Sequence, residues 1–248
     1  MKPLIYISYG MAKSGSTLGF QLVTAILEEA GIAQSDVDLR AEGIGDHARF
    51  VEVIRPVELK ALRRLAEDRG GGPLAIKTHS GLWNCVIEGM REGWVIGHAI
   101  CRDPRDIALS MMDASRKNQP WGKRDGQPLR HIEDALDYVR AHATKFRKWA
   151  AYPAIMPLAY EPLAFDTETV AGRIAEQLGV TVDLKRVVKM AKASDTNMNK
   201  GKLRRHEQEL SEAVNDRVHR EFQGFIEDWC APDFTAPSRG FFGRLTGL

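Results

Sequence analysis

An α/β fold with a central parallel sheet and flanking helices is what this sequence predicts, and three observations predict it. Short apolar runs alternate along the chain with segments of helical period. The first run leads straight into a glycine-containing turn and then a helix, the arrangement of a βαβ unit. No internal repeat and no linker divides the 248 residues, so a single domain over 1–248 is expected, with 231–248 as a loosely held Pro/Gly-rich tail.

Residues 4–9 are apolar and β-rich, which reads as a buried strand. Gly10 breaks it, and from 14 to 30 Leu18, Leu22, Ala25, Ile26 and Ala30 recur at helical spacing before Gly31. Residues 33–50 are polar and glycine-containing and read as loop. A helix is expected over 57–69, stopped by the glycines before Pro73, followed by strands at 74–77 and 94–101. Asp103 and Pro104 are an N-cap and a first-turn proline, opening a helix to about 116. A polar loop (118–130), a helix (132–149), a strand (154–160) and a helix (167–178, closed by Gly179) come next. Helices over 184–193 and 206–229 complete the order.

Composition excludes several classes. Apolar residues make up 44% and charged residues 27%, with net charge +2, so no global field points to nucleic acid. Between 115 and 148 there are nine Lys/Arg against four acids, a local excess suited to an anionic ligand or simply to a solvated face. Cys85, Cys101 and Cys230 form an odd, unpatterned set, which fits a reducing, cytoplasmic setting and neither a disulfide framework nor a zinc site. No apolar run reaches the length of a signal-peptide core or a membrane span.

The turn Gly10-Met11-Ala12-Lys13-Ser14-Gly15-Ser16-Thr17 sits between strand and helix, where backbone N–H groups and the helix N-terminus favour an anion. Against an ordinary P-loop, Ser16 replaces the expected lysine, and a lysine stands inside the loop instead, as Lys13. That displacement suggests a phosphate cradle serving a different activated group; a strand-to-helix turn without ligand is the structural alternative.

Together with four later segments, the loop resembles that of the PAPS-dependent sulfotransferases, which use 3′-phosphoadenosine 5′-phosphosulfate and release PAP. Lys13-Ser14-Gly15-Ser16-Thr17 resembles their 5′-phosphosulfate loop. Lys77-Thr78-His79 resembles the segment whose histidine is the catalytic base. Arg102 with Ser110 resembles the 3′-phosphate strand and helix, Tyr160-Glu161 the segment after the next strand, and Lys200-Gly201 the late loop that closes over the nucleotide. The resemblance runs from about residue 3 to about 230 and implies a P-loop-like α/β fold. It also implies sulfuryl transfer to a hydroxyl or amine, with His79 as base and Lys13, with Lys77, stabilising charge. Lys13, Ser14, Gly15, Ser16, Thr17, Arg102, Ser110, Tyr160, Lys200 and Gly201 are then the nucleotide-binding residues, and no metal is required. Leu18 stands where the family often has an adenine-stacking aromatic residue and Asn199 where it often has arginine. The family's dimer motif is not recognisable, so oligomeric state stays open.

His79 also has a bottom-up case, since it follows a parallel strand at its carboxyl end, where open α/β sheets bind ligands. The other histidines, His142 and His206 among them, read as structural or surface, and Asp106 as a first-turn helix residue paired with Arg105 or solvent. Phe50, Trp83, Trp121, Tyr138, Phe146 and Trp149 are candidates to frame a small-molecule or glycan acceptor, or else core. Two rival readings stand beside the transferase: a small-molecule kinase using ATP and Mg²⁺, and a non-catalytic PAP- or glycan-binding module.

Overall fold

The structure, a computed structural model, describes residues 3–44, 49–70, 72–119, 123–124, 127–193 and 202–230. Four parallel strands form its centre: β1 (Ile5–Gly10), β2 (Leu74–Thr78), β3 (Val95–Cys101) and β6 (Ile155–Ala159), in the order β2-β1-β3-β6. Ile5, Ile7 and Tyr9 alternate with Tyr6 and Ser8, and all five are fully buried. Period-two alternation therefore places apolar side chains on both faces, as expected of a parallel sheet covered on both sides. One face carries α2 (Pro56–Asp68), α3 (Asn84–Arg91), α4 (Pro104–Arg116), α5 (Ile132–Ala150) and α10 (Glu212–Trp229), around a core that includes Tyr9, Phe146, Trp149 and Trp229. The other carries α1 (Ser16–Glu29), α7 (Thr167–Leu178) and α8 (Leu184–Ala193), packed around Tyr6, Leu22 and Ile174. A two-strand antiparallel ribbon, β4 (Lys123–Arg124) with β5 (Gln127–Pro128), lies within the segment expected to be loop.

Local chemistry explains the element ends. The Asp103 carboxylate accepts from the Arg105 N–H at 2.9 Å and Pro104 opens α4, as the sequence predicts. Gly179 closes α7 in the left-handed conformation, φ 68°. A Cβ on Gly19 would lie 2.3 Å from the Ile100 side chain, so α1 packs tight against β3 and brings its N-terminus to the strand ends.

Besides this ribbon, four features depart from the sequence expectation. Helix α1 begins at Ser16, because residues 11–15 turn before it. Helix α3 fills a stretch with no assignment. Tyr160 opens a short helix, α6 (Tyr160–Phe165), where strand was expected to continue. The last helical stretch is two helices, α9 (His206–Glu209) and α10, separated at Leu210 and Ser211, both extended. The tail 231–248, and with it the expectation made for it, lies outside the described residues. Among the described residues no helix is long and apolar enough to cross a membrane.

Candidate active site

The strand ends, the start of α1 and the start of α4 converge at one edge of the sheet. The turn from β1 to α1 is held by Ser14. Its buried hydroxyl donates to the Met11 carbonyl at 2.6 Å and lies 3.2 Å from that of Ile100, while its N–H bonds the Met11 carbonyl at 3.1 Å. Both polar groups of Ser14 are thus engaged in the loop itself, so it shapes the cradle rather than presenting donors to it. Lys13 and Gly15 take positive φ, 66° and 83°. Gly15 tolerates that conformation, and any Cβ there would meet the Tyr160 ring at 2.9 Å. No side chain caps α1, so its first-turn N–H groups face outward into the turn, the form of an anion-binding helix terminus.

Strand β2 supplies the second component. Lys77 Nζ donates to Thr17 Oγ1 at 2.8 Å, tying the strand to the cradle. Burial pushes the Lys77 ammonium down to about 8. His79 follows the strand, with Nδ1 2.6 Å from the Gly10 carbonyl. A carbonyl only accepts, so Nδ1 carries the proton, and the neutral ring keeps Nε2 as its basic atom. Burial pushes His79 down to about 4; the Gly10 contact works against this, and Lys77 and Lys145 reinforce it. The imidazole is therefore neutral near pH 7.

Arg102, at the end of β3, is the third component. Its guanidinium approaches the Lys13 carbonyl at 3.4 Å, the Lys202 carbonyl at 3.5 Å and Asp106 Oδ2 at 3.3 Å, and lies over the Tyr160 ring at 4.1 Å. Its Nε is buried without a hydrogen-bond partner among the described residues, a donor that a bound anion would satisfy. Tyr160 packs against both Gly15 and Arg102, bridging the β1–α1 turn and the end of β3. Ser110 is buried on α4, eight residues beyond Arg102. Lys13 is held below its ordinary value by burial, then by Arg102 and Lys117, with Asp113 opposing. Lys200 and Gly201 lie outside the described residues, although Lys202, which follows them, reaches Arg102.

The pairing expected between Asp106 and Arg105 does not form. Arg105 is taken by Asp103, at 2.6 and 2.9 Å, and by Asn215, at 3.1 Å, which makes it structural. Asp106 does not pair with Arg105 or solvent: it accepts from Arg102 and from His206. His142, set aside in the sequence, is buried on α5, stacked on Tyr138 at 4.1 Å, and within electrostatic reach of His79 and Lys145. Phe50 packs 5.5 Å from His79. Of the other aromatic candidates, Phe146 and Trp149 are fully buried core, Trp83 is exposed, and Trp121 lies outside the described residues. Among the described residues no group of three or more His, Cys, Asp or Glu side chains is placed to hold a metal ion.

A family model for the sulfotransferase domain matches residues 6–246. The chain belongs to the sulfotransferase family. No curated protein matches it significantly in sequence. Among solved structures it is similar to retinol dehydratase in complex with androsterone and inactive cofactor PAP. Identity there is 14%, coverage 96% of this chain and 84% of that one, and the TM-score 0.58. It is also similar to a mouse sulfotransferase complexed with PAP, at 16% identity, 92% and 84% coverage and a TM-score of 0.54. At these identities the likeness establishes a shared sulfotransferase fold, the P-loop-like α/β class that the sequence predicts.

Proposed function

We propose that this sulfotransferase moves a sulfuryl group from PAPS to the hydroxyl or amine of a small-molecule or glycan acceptor, releasing PAP. The observation that carries the reading is the convergence of a neutral, oriented histidine with two separate anion-binding elements. The α1 N-terminus and Lys13 suit the 5′-phosphosulfate, and Arg102 with its unpartnered Nε suits a second phosphate at the 3′ position. PAP bound to two proteins of the same fold supports the nucleotide, and androsterone in one of them supports a small-molecule acceptor.

In this mechanism His79 Nε2 takes the acceptor proton as the acceptor oxygen or nitrogen bonds to sulfur. Lys13, Lys77 and the first-turn N–H groups of α1 stabilise the charge that builds on the bridging oxygen as the S–O bond to the 5′-phosphate breaks. Thr17 holds the Lys77 ammonium toward the cradle. Tyr160, against Gly15 and Arg102, fixes the spacing of the two anion sites, and Ser110, Lys200 and Gly201 complete the 3′ side. Phe50, 5.5 Å from His79, and the stacked pair of Tyr138 and His142 are the candidates to line the acceptor site. A single domain in the cytoplasm is part of the same reading.

Calorimetry with PAP and ADP tests it. PAP is expected to bind much more tightly, and Arg102→Ala to remove most of the difference, since a charged hydrogen bond contributes about 1.5–3 kcal/mol. Turnover is expected to persist in EDTA. Equal affinity for the two nucleotides, or a strict Mg²⁺ requirement, would overturn the assignment in favour of a kinase.

A further inference from the structure

Helix α4 presents Arg102, just before its N-cap, then Asp106, Ser110 and Asp113 at helical spacing. The first and second of these carry a short chain of contacts. Asp106 Oδ2 accepts from Arg102 at 3.3 Å, and Oδ1 accepts from the His206 N–H at 3.0 Å and from His206 Nδ1 at 2.9 Å. All three residues are buried. A buried carboxylate is costly unless its lone pairs are met, and here three donors meet them. Burial works against the charge of Asp106, but the His206 hydrogen bond and the Arg102 charge outweigh it and keep the carboxyl below its ordinary range. The next residue back, Arg205, is tied to α4 as well, 2.8 Å from Asp113, with Glu209 completing its fork. Residues 205 and 206 are therefore pinned to α4 three and four positions after Lys202, whose carbonyl touches Arg102. Arg102, Asp106 and His206 also share a cavity of about 340 Å³ with Tyr160 and Arg204.

We propose that Asp106 and His206 are positioning residues that orient Arg102 toward the 3′-phosphate of the nucleotide and couple it to the segment following residue 201. This rests on the PAPS reading above. The guanidinium has a fixed fork geometry, so the direction in which its free Nε–H points depends on what holds its terminal nitrogens. Asp106 holds one terminal nitrogen while Nε stays unpartnered, and His206 in turn holds Asp106. Neither residue touches the cradle of Lys13 to Thr17 in any contact described above. Arg102 meets the cradle only through the Lys13 carbonyl at 3.4 Å, so the larger effect falls on the 3′ side.

The test compares PAP with ADP, which share the adenosine and differ in where the second phosphate sits. In Asp106→Asn and His206→Ala, PAP affinity is expected to fall about tenfold or more while ADP affinity changes less than about threefold. His206→Asn, whose amide can reproduce the Nδ1 donor, is expected to restore PAP affinity to within about threefold. In turnover assays both damaging variants raise the KM for PAPS and leave kcat at saturation near wild type. Equal weakening of PAP and ADP, no change in either, or no rescue by asparagine would overturn the proposal, because a merely structural role predicts no nucleotide discrimination. Should Asp106→Asn fail to fold, the His206 pair alone decides between these outcomes. Wild-type protein that does not distinguish PAP from ADP would instead sink the PAPS reading itself.

Discussion

Replacing His79 with asparagine separates its chemistry from its structural bond. Asn can keep a donor near the position of Nδ1, and with it the 2.6 Å contact to the Gly10 carbonyl, but it has nothing at Nε2. His79→Ala loses both, and leaves a carbonyl at the mouth of the cradle short of a partner at about 1–3 kcal/mol. The asparagine variant should therefore unfold close to the wild-type midpoint and the alanine variant below it. Both should lose roughly 10²–10⁴-fold in kcat, the usual contribution of a positioned base. PAP affinity should barely change in His79→Asn. The pH profile supplies an independent readout. A base must be neutral, so the acid limb of kcat/KM should fall only as pH drops toward about 4, the value to which burial pushes His79. The ammonium of Lys77 must be charged, so an alkaline limb should appear near 8 and disappear in Lys77→Met. Rates come from a PAP-release assay under saturating acceptor. Near wild-type turnover in His79→Asn would refute the reasoning, and an acid limb at the ordinary histidine value would refute the account of its environment.

Gly15→Ala forces an L side chain to φ 83° and sets its Cβ 2.9 Å from the Tyr160 ring; a loss of about 1–3 kcal/mol in chemical denaturation is expected, with weaker PAP binding. An unchanged denaturation midpoint would count against the packing of Tyr160 on the loop. His98, fully buried between Tyr6 and Ser8, is pushed by burial down to about 3. The unfolded chain takes up a proton below about 6.5 while the folded one does not, so stability is complete above that pH and declines as pH falls toward 3. His98→Gln should flatten this decline when denaturation midpoints at neutral and acid pH are compared, and an identical decline in the variant would refute the assignment.

The parts of the fold written locally were legible. The β1–turn–α1 unit, the Asp103-Pro104 start of α4 and the Gly179 stop of α7 each depend on residues within one or two turns of one another. Helix α3 was not legible, because its buried face consists of Val86, Gly89 and Met90, one of which has no side chain to register in a hydrophobic period. The boundary between α9 and α10 was hidden by a helical pattern running through the extended pair Leu210 and Ser211. For the site, the sequence placed Lys13, Lys77, His79 and Arg102 through motif order, and the structure brings these together at the sheet edge.

Asp106 shows why motif order stops short. From the sequence, a first-turn aspartate next to Arg105 has a sufficient explanation in helix electrostatics, and the nearest opposite charge is the natural partner. The structure breaks that pairing by competition: Asp103, the N-cap, turns its carboxylate back onto Arg105 and accepts from Nε and one terminal nitrogen along a single edge of the guanidinium. Arg105 is thereby turned toward Asn215, and Asp106 is left one helical turn from Arg102. Its remaining oxygen then requires a donor, and the one that arrives is His206, 100 residues away in sequence. Nothing in the local pattern at 206 marks it as that donor, since His206 follows two arginines in a charged segment that reads as solvated. The partner of Arg102 is thus selected by competition among acidic and basic neighbours at the start of α4, and this competition is decided only once α4, α9 and α10 are packed together.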